Sequence, residues 1–76
     1  DLAVQTYLNG DLKQDGRTSD MVFDVPTLIE QISAVMTLLP GDVILTGTPA
    51  GVSTVVRGDV LEAGVAGVGE LTIRLV

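Results

Sequence analysis

Thr46-Gly47-Thr48-Pro49-Ala50-Gly51 places two hydroxyls and two glycines directly after the apolar run Val43-Ile44-Leu45. Hydroxyls and successive main-chain N–H groups at the end of a strand form a concavity suited to a carboxylate or an oxyanion. Gly47 allows the backbone to come close to a ligand. Pro49 stiffens the turn and holds Thr48 in one orientation. Threonine, glycine and proline are also ordinary loop residues, so the segment by itself leaves an anion-holding loop and a plain connection both open.

The rest of the chain excludes most other chemistry. It contains no histidine and no cysteine, which rules out Ser-His-Asp and Cys-His nucleophile systems and the usual zinc sites. Asp11, Asp15, Asp20 and Asp24 cluster along the sequence, but they fail as a calcium loop. Counted from Asp11, Lys13 takes the third position and Val22 the twelfth, where a bidentate glutamate is required. These acids read as turn formers, a helix cap and solvated surface. Gly67-Val68-Gly69 is followed by Thr72 where a dinucleotide fingerprint needs glycine, and no helix pattern follows.

The net charge of −6, with only Lys13, Arg17, Arg57 and Arg74 basic, argues against a nucleic-acid partner. No apolar run approaches the ~20 residues of a membrane span, so no membrane partner is expected. No leader pattern opens the sequence and no disulfide framework exists; a cytoplasmic setting is the expectation.

The elements that must position the loop are legible as patterns. Residues 2–8 alternate as a half-buried strand. Asn9-Gly10 marks a type I′ hairpin turn, and Asp11 to Gln14 is the expected return strand. A polar loop through Asp15-Gly16 and Thr18-Ser19-Asp20 then leads to the short apolar piece Met21-Val22-Phe23. Asp24 caps a helix expected over 26–39, with Pro26 in its first turn. Leu28, Ile29, Ile32, Val35, Met36 and Leu39 form one stripe at helical spacing, and Pro40-Gly41 ends it. After the helix, 43–45 reads as a short strand and 52–56 as extended. Residues 60–63 and 71–76 read as strands separated by Gly64, Gly67 and Gly69. Gly41-Asp42-Val43 and Gly58-Asp59-Val60 echo each other, as expected if the same turn chemistry launches both segments.

Seventy-six residues make one small domain, which buries only about 60% of its unfolded surface. Yet 46% of the residues are hydrophobic, and Tyr7 and Phe23 are the only aromatics. So much Val, Leu, Ile and Ala exceeds what a core of this size can hide. Extensive dimerisation or origin within a larger fold is expected, and a strand pattern at the first residues favours the latter.

Three blocks in order resemble the fumarylacetoacetate hydrolase family. They are Leu8-Asn9-Gly10 with Gln14, Gly16 and the stretch from Thr18 to Phe23; then Thr37-Leu38 with Pro40 through Val52; then Gly58-Asp59 with Gly67-Val68-Gly69-Glu70-Leu71. The resemblance covers nearly the whole chain. It implies an α+β, mostly β fold, part of a β-roll with one amphipathic helix, and makes 1–76 the C-terminal part of a single catalytic domain. It implies a homodimeric enzyme acting on 2-oxo acids or acylpyruvates by C–C hydrolysis, decarboxylation or isomerisation. It also implies Mg²⁺ or Mn²⁺, acting as a Lewis acid on the 2-oxo carboxylate. By the same likeness Thr48 contacts the substrate carboxylate, Gly47 lets the backbone approach, and Thr46 and Pro49 shape the loop.

The family's metal ligands, a Glu-x-Glu pair and a later Asp, have no counterpart in this chain, and Lys13 does not match the family's lysine. The segment is therefore expected to hold one wall of a site and no metal ligand. The reading from another functional class is a small acidic β module without catalysis, pairing through its apolar helix stripe.

Overall fold

The computed structural model describes residues 1–76. Four strands form one antiparallel sheet in the order β2-β1-β3-β4: β1 is Ala3–Leu8, β2 Asp11–Arg17, β3 Val60–Val65 and β4 Gly69–Arg74. A 3₁₀ turn at Thr18–Asp20 and the helix α1, Val25–Ser33, lie between β2 and β3.

The hairpin of β1 and β2 closes as its sequence dictates. Asn9 has φ 51° and Gly10 φ 85°, the two positive values of a type I′ turn. Asn9 also ties this turn to the other end of the chain. Its side-chain Nδ2 donates to Asp59 Oδ1 at 2.9 Å, and its side-chain Oδ1 accepts from the Val60 N–H at 2.9 Å. β2 runs three residues beyond the expected Gln14. Asp15 and Gly16 stay in the ladder because Asp15 faces the polar side of the sheet, where the Gln5 amide donates to it at 3.1 Å.

Cross-strand partners share a face. Val4, Leu8, Leu61, Val65, Leu71 and Ile73 therefore make one face apolar, while Gln5, Asp15, Glu62, Glu70 and Thr72 make the other polar.

The helix starts where expected and stops early. The Thr27 N–H donates to Asp24 Oδ1 at 2.9 Å, with Pro26 in the first turn. It ends at Ser33, not Leu39, and a loose turn carries the chain to Met36. The distal half of the stripe finds no surface to cover: Val35, Met36 and Leu39 are 79%, 60% and 63% exposed. Leu39 is drawn into another structure. Its N–H donates to Asp42 Oδ2 at 2.8 Å, and Leu39-Pro40-Gly41-Asp42 closes with the Asp42 N–H on the Leu39 carbonyl at 3.1 Å. Pro40 and Gly41, at φ 91°, fill the positions of a type II turn.

The same device recurs at Val56-Arg57-Gly58-Asp59. The Val56 N–H donates to Asp59 Oδ2 at 2.9 Å, and the Asp59 N–H returns to the Val56 carbonyl at 3.1 Å. Gly58 again has φ 91°. This is the physical content of the Gly-Asp echo.

Two expected extended segments are not strands. Residues 43–45 and 52–56 pair with nothing in this chain, and Val43 and Leu45 are 82% and 91% exposed. An apolar run becomes a strand only where another strand supplies hydrogen bonds, and none here does. Gly64 and Gly69, expected as separators, lie inside β3 and β4; the connection turns at Gly67, φ 77°.

Packing is thin. Gly16 is the sole buried residue. The radius of gyration is 14.8 Å, against about 11 Å for a compact domain of this length.

Candidate functional site

Register decides where the side chains of β2 go. Counted back from the turn, Asp11 pairs with Leu8 and Leu12 with Tyr7. Strict alternation would then set Lys13 opposite Thr6 and Gln14 on the polar face. Instead the ladder slips, Lys13 is left without a partner, and Gln14 stands opposite Thr6 and Gly16 opposite Val4. This β-bulge brings Gln14 and Gly16 to the face over which residues 46–51 cross.

The loop docks on β2 at three points. The Gln14 amide nitrogen donates to Thr48 Oγ1 at 2.7 Å and to the Pro49 carbonyl at 2.9 Å. Pro49 lies on Gly16: a Cβ at Gly16 would stand 3.2 Å from Pro49 Cγ and 3.3 Å from its Cβ, tighter than ordinary contact. Gly51, at φ 109°, sits against the bulge itself, where an added Cβ would overlap the Lys13 carbonyl oxygen.

These bonds fix the polarity of the threonine. A proline carbonyl only accepts, so the Gln14 nitrogen must be the atom facing the loop, and it donates one hydrogen to each partner. Thr48 Oγ1 therefore accepts from Gln14, and its own proton is free to be donated elsewhere. No main-chain amide in residues 43–55 donates a hydrogen bond within this chain, so the N–H groups of Gly47 and Thr48 are open as well. Gly47 has φ 96° with nothing within 4 Å of where a Cβ would stand.

Thr46, Gly47, Thr48 and Pro49 thus come together on one cleft of about 380 Å³. Its other wall is the end of β2 and the 3₁₀ turn, with Arg17, Thr18, Asp20 and Met21. Arg17 is the one cation lining this cleft, held by Asp1 at 3.0 Å, while its main-chain N–H donates to Asp20 Oδ2 at 2.9 Å. A larger hollow of about 550 Å³ lies over the polar face, but it is lined by Glu62 and Glu70 and no basic residue, a poor place for an anionic ligand.

Sequence reasoning singled out the loop but not the residues on which the structure seats it. Gln14 and Gly16 carry the resemblance only as letters, and their two-residue spacing was the available sign that both face one way. The bulge that turns them toward the loop has no sequence signature of its own here. Thr18 and Asp20 likewise enter only through the resemblance, Asp20 also as one of four acids rejected as a calcium loop, and Arg17 only as one of the scattered basic residues.

The acids serve the backbone. Asp24 caps α1, Asp20 accepts from Arg17, and Asp15 pairs with Gln5. The hydroxyl of Thr27 and then its main-chain N–H hold the Asp24 carboxyl below its ordinary value; the Val56 N–H and then the Asn9 amide do the same for Asp59. No three acidic side chains converge. A hard divalent cation needs several converging oxygens, so the donor set of this chain does not fit one.

The match to the family model described as fumarylacetoacetate (FAA) hydrolase, C-terminal, runs over residues 1–76. The Escherichia coli 4-hydroxyphenylacetate degradation bifunctional isomerase/decarboxylase is 52% identical over 75 residues, 99% of this chain and 18% of that protein. The solved 2-hydroxyhepta-2,4-diene-1,7-dioate isomerase of Mycobacterium marinum superposes with a TM-score of 0.93 at 54% identity, over 100% of this chain and 30% of its own. Maleylpyruvate hydrolase of Sphingobium sp. SYK-6, solved with manganese(II) and pyruvate, superposes at 0.94 with 47% identity, over 99% of this chain and 28% of its own. The chain therefore spans under a third of each of these relatives. An end-to-end family match and a shared fold at this identity have one meaning: the chain belongs to the fumarylacetoacetate hydrolase family.

Proposed function

We propose that this chain is part of a metal-dependent enzyme acting on 2-oxo acids or acylpyruvates, to which it contributes the loop that contacts the substrate carboxylate. The observation that carries the reading is the pair of bonds from Gln14 to Thr48 Oγ1 and the Pro49 carbonyl, at 2.7 and 2.9 Å. They leave the Thr48 hydroxyl proton free to be donated, beside main-chain amides that pair with nothing in this chain, and a carboxylate requires such donors. Thr48 binds the acid group, Gly47 admits it, and Thr46 and Pro49 set the shape of the loop.

The reaction is C–C hydrolysis, decarboxylation or isomerisation. Relatives named for isomerase/decarboxylase and hydrolase activities, one of them solved with manganese and pyruvate, support that range and a divalent cation, Mg²⁺ or Mn²⁺. By the resemblance the cation's ligands lie outside these residues, and no three acids of this chain converge to hold it alone. The intact enzyme works as a homodimer. Its expected setting is cytoplasmic; no helix of this chain is long and apolar enough to cross a membrane.

Replacing Thr48 by valine in the intact enzyme tests the reading. Loss of one hydrogen bond to a charged group should raise KM for a 2-oxo acid about tenfold or more, while Thr48→Ser should stay near the starting value. An unchanged KM in Thr48→Val would remove Thr48 from the substrate.

A further inference from the structure

Gln14 lies behind Thr48, on a different element, and its two donated hydrogens are both spent on the loop. A hydroxyl can donate in only one direction at a time. Left without Gln14, the Thr48 hydroxyl is free to turn its proton back toward β2 and present lone pairs to the cleft, which repel a carboxylate. With Gln14 in place, the hydroxyl oxygen already accepts on its β2 side, so its proton points away from β2.

Nothing else in the chain does this, since no other side chain donates to Thr48 or Pro49. The placement is also built, not incidental. The unpaired Lys13 shifts β2 so that Gln14 faces the loop, and Gly51 admits the Lys13 carbonyl that the bulge turns outward.

We infer that Gln14 is the positioning residue that sets the Thr48 hydroxyl as a donor toward an anionic ligand. It does not touch the ligand; it acts through Thr48. The inference rests on the proposed contact between Thr48 and the substrate carboxylate.

A double-mutant cycle separates the two ideas, with the dissociation constant for pyruvate read by isothermal titration on the intact, manganese-loaded protein. Thr48→Val and Gln14→Met are each expected to weaken pyruvate about tenfold, and the double variant no more than Thr48→Val alone, because Gln14 has no other route to the ligand. Gln14→Leu, which also lacks both donated hydrogens and adds no charge, should behave like Gln14→Met and stands in for it if that variant does not fold. If Thr48→Val leaves pyruvate binding unchanged, the carboxylate reading fails and this inference with it. If Thr48→Val weakens binding while the Gln14 variants do not, or weaken it additively with Thr48→Val, the reading stands and the positioning role of Gln14 is overturned.

Discussion

Gly51 rests on the main-chain carbonyl of Lys13, so close that a Cβ at position 51 would overlap the oxygen. The pairing joins the one irregularity of the sheet to the loop proposed to hold the substrate carboxylate. It also makes position 51 intolerant for two separate reasons, its φ of 109° and the absence of room.

Gly51→Ala is accordingly expected to destabilise the intact protein by about 2 kcal/mol or more, since positive-φ strain and a main-chain clash add. The midpoint of thermal unfolding should fall by about 5 °C or more. A variant as stable as the parent would show that the loop does not sit on the bulge.

Gly16→Ala should behave differently. Its Cβ meets Pro49 side-chain atoms at 3.2 and 3.3 Å, a squeeze that moving Pro49 by a few tenths of an ångström relieves. The expected result is a stability loss of about 1 kcal/mol or less with KM for a 2-oxo acid raised severalfold, because Pro49 carries Thr48 with it. Steady-state kinetics beside a melting curve measures both; a stability loss without a KM change would place Pro49 outside the site.

Acid sensitivity follows from Asp24 and Asp59. Both carboxyls are held below the ordinary value of 3.8, Asp24 by Thr27 and Asp59 by Val56 and Asn9. Below that value the unfolded chain takes up protons before the folded one does. The stabilising contribution of each group is thus complete above pH 3.8 and is lost as pH falls through the lowered folded-state value. Asp24→Asn and Asp59→Asn keep an acceptor for the N–H groups but cannot titrate, so unfolding free energy should fall less steeply with acid in these variants. Denaturant titrations of the intact protein between pH 5 and about pH 2.5 compare the slopes; identical slopes would mean that neither bond survives in solution.

The isolated chain of 76 residues should not melt cooperatively. Its only buried residue is a glycine, and Leu71 and Ile73, on the apolar face of the sheet, are 61% and 45% exposed. A sheet so uncovered lacks the hydrophobic term that offsets chain entropy. Calorimetry of the monomeric chain should show no sharp transition, and a single two-state peak would contradict this.

The sequence was most readable where one residue's own chemistry decides the structure. Asn9-Gly10 takes the two positive φ angles of its turn, Asp24 caps α1 beside Pro26, and the repeated Gly-Asp pair makes two matching turns because each aspartate bonds the main chain three residues back. It misled where a partner decides. The stripe through Val35, Met36 and Leu39 has helical spacing, but nothing covers it and Asp42 claims the Leu39 N–H. Residues 43–45 have a strand's composition without a strand beside them. Thr48 stood out by type, whereas Gln14 did not, because its role depends on a slip of register that alternation cannot foresee.

The two aspartate turns, ending at Asp42 and Asp59, enclose a span with no helix and no strand. None of the amides of residues 43–55 donates a hydrogen bond within this chain, so unfolding of its sheet is not what releases their hydrogens to solvent deuterium. The hydrogen bonds from Gln14 on β2 are the only ones within this chain that tie down the middle of the span. In the intact, metal-loaded enzyme, a ligand seated at Thr48 would then announce itself as slower exchange at Gly47 and Thr48 than in the same enzyme without it.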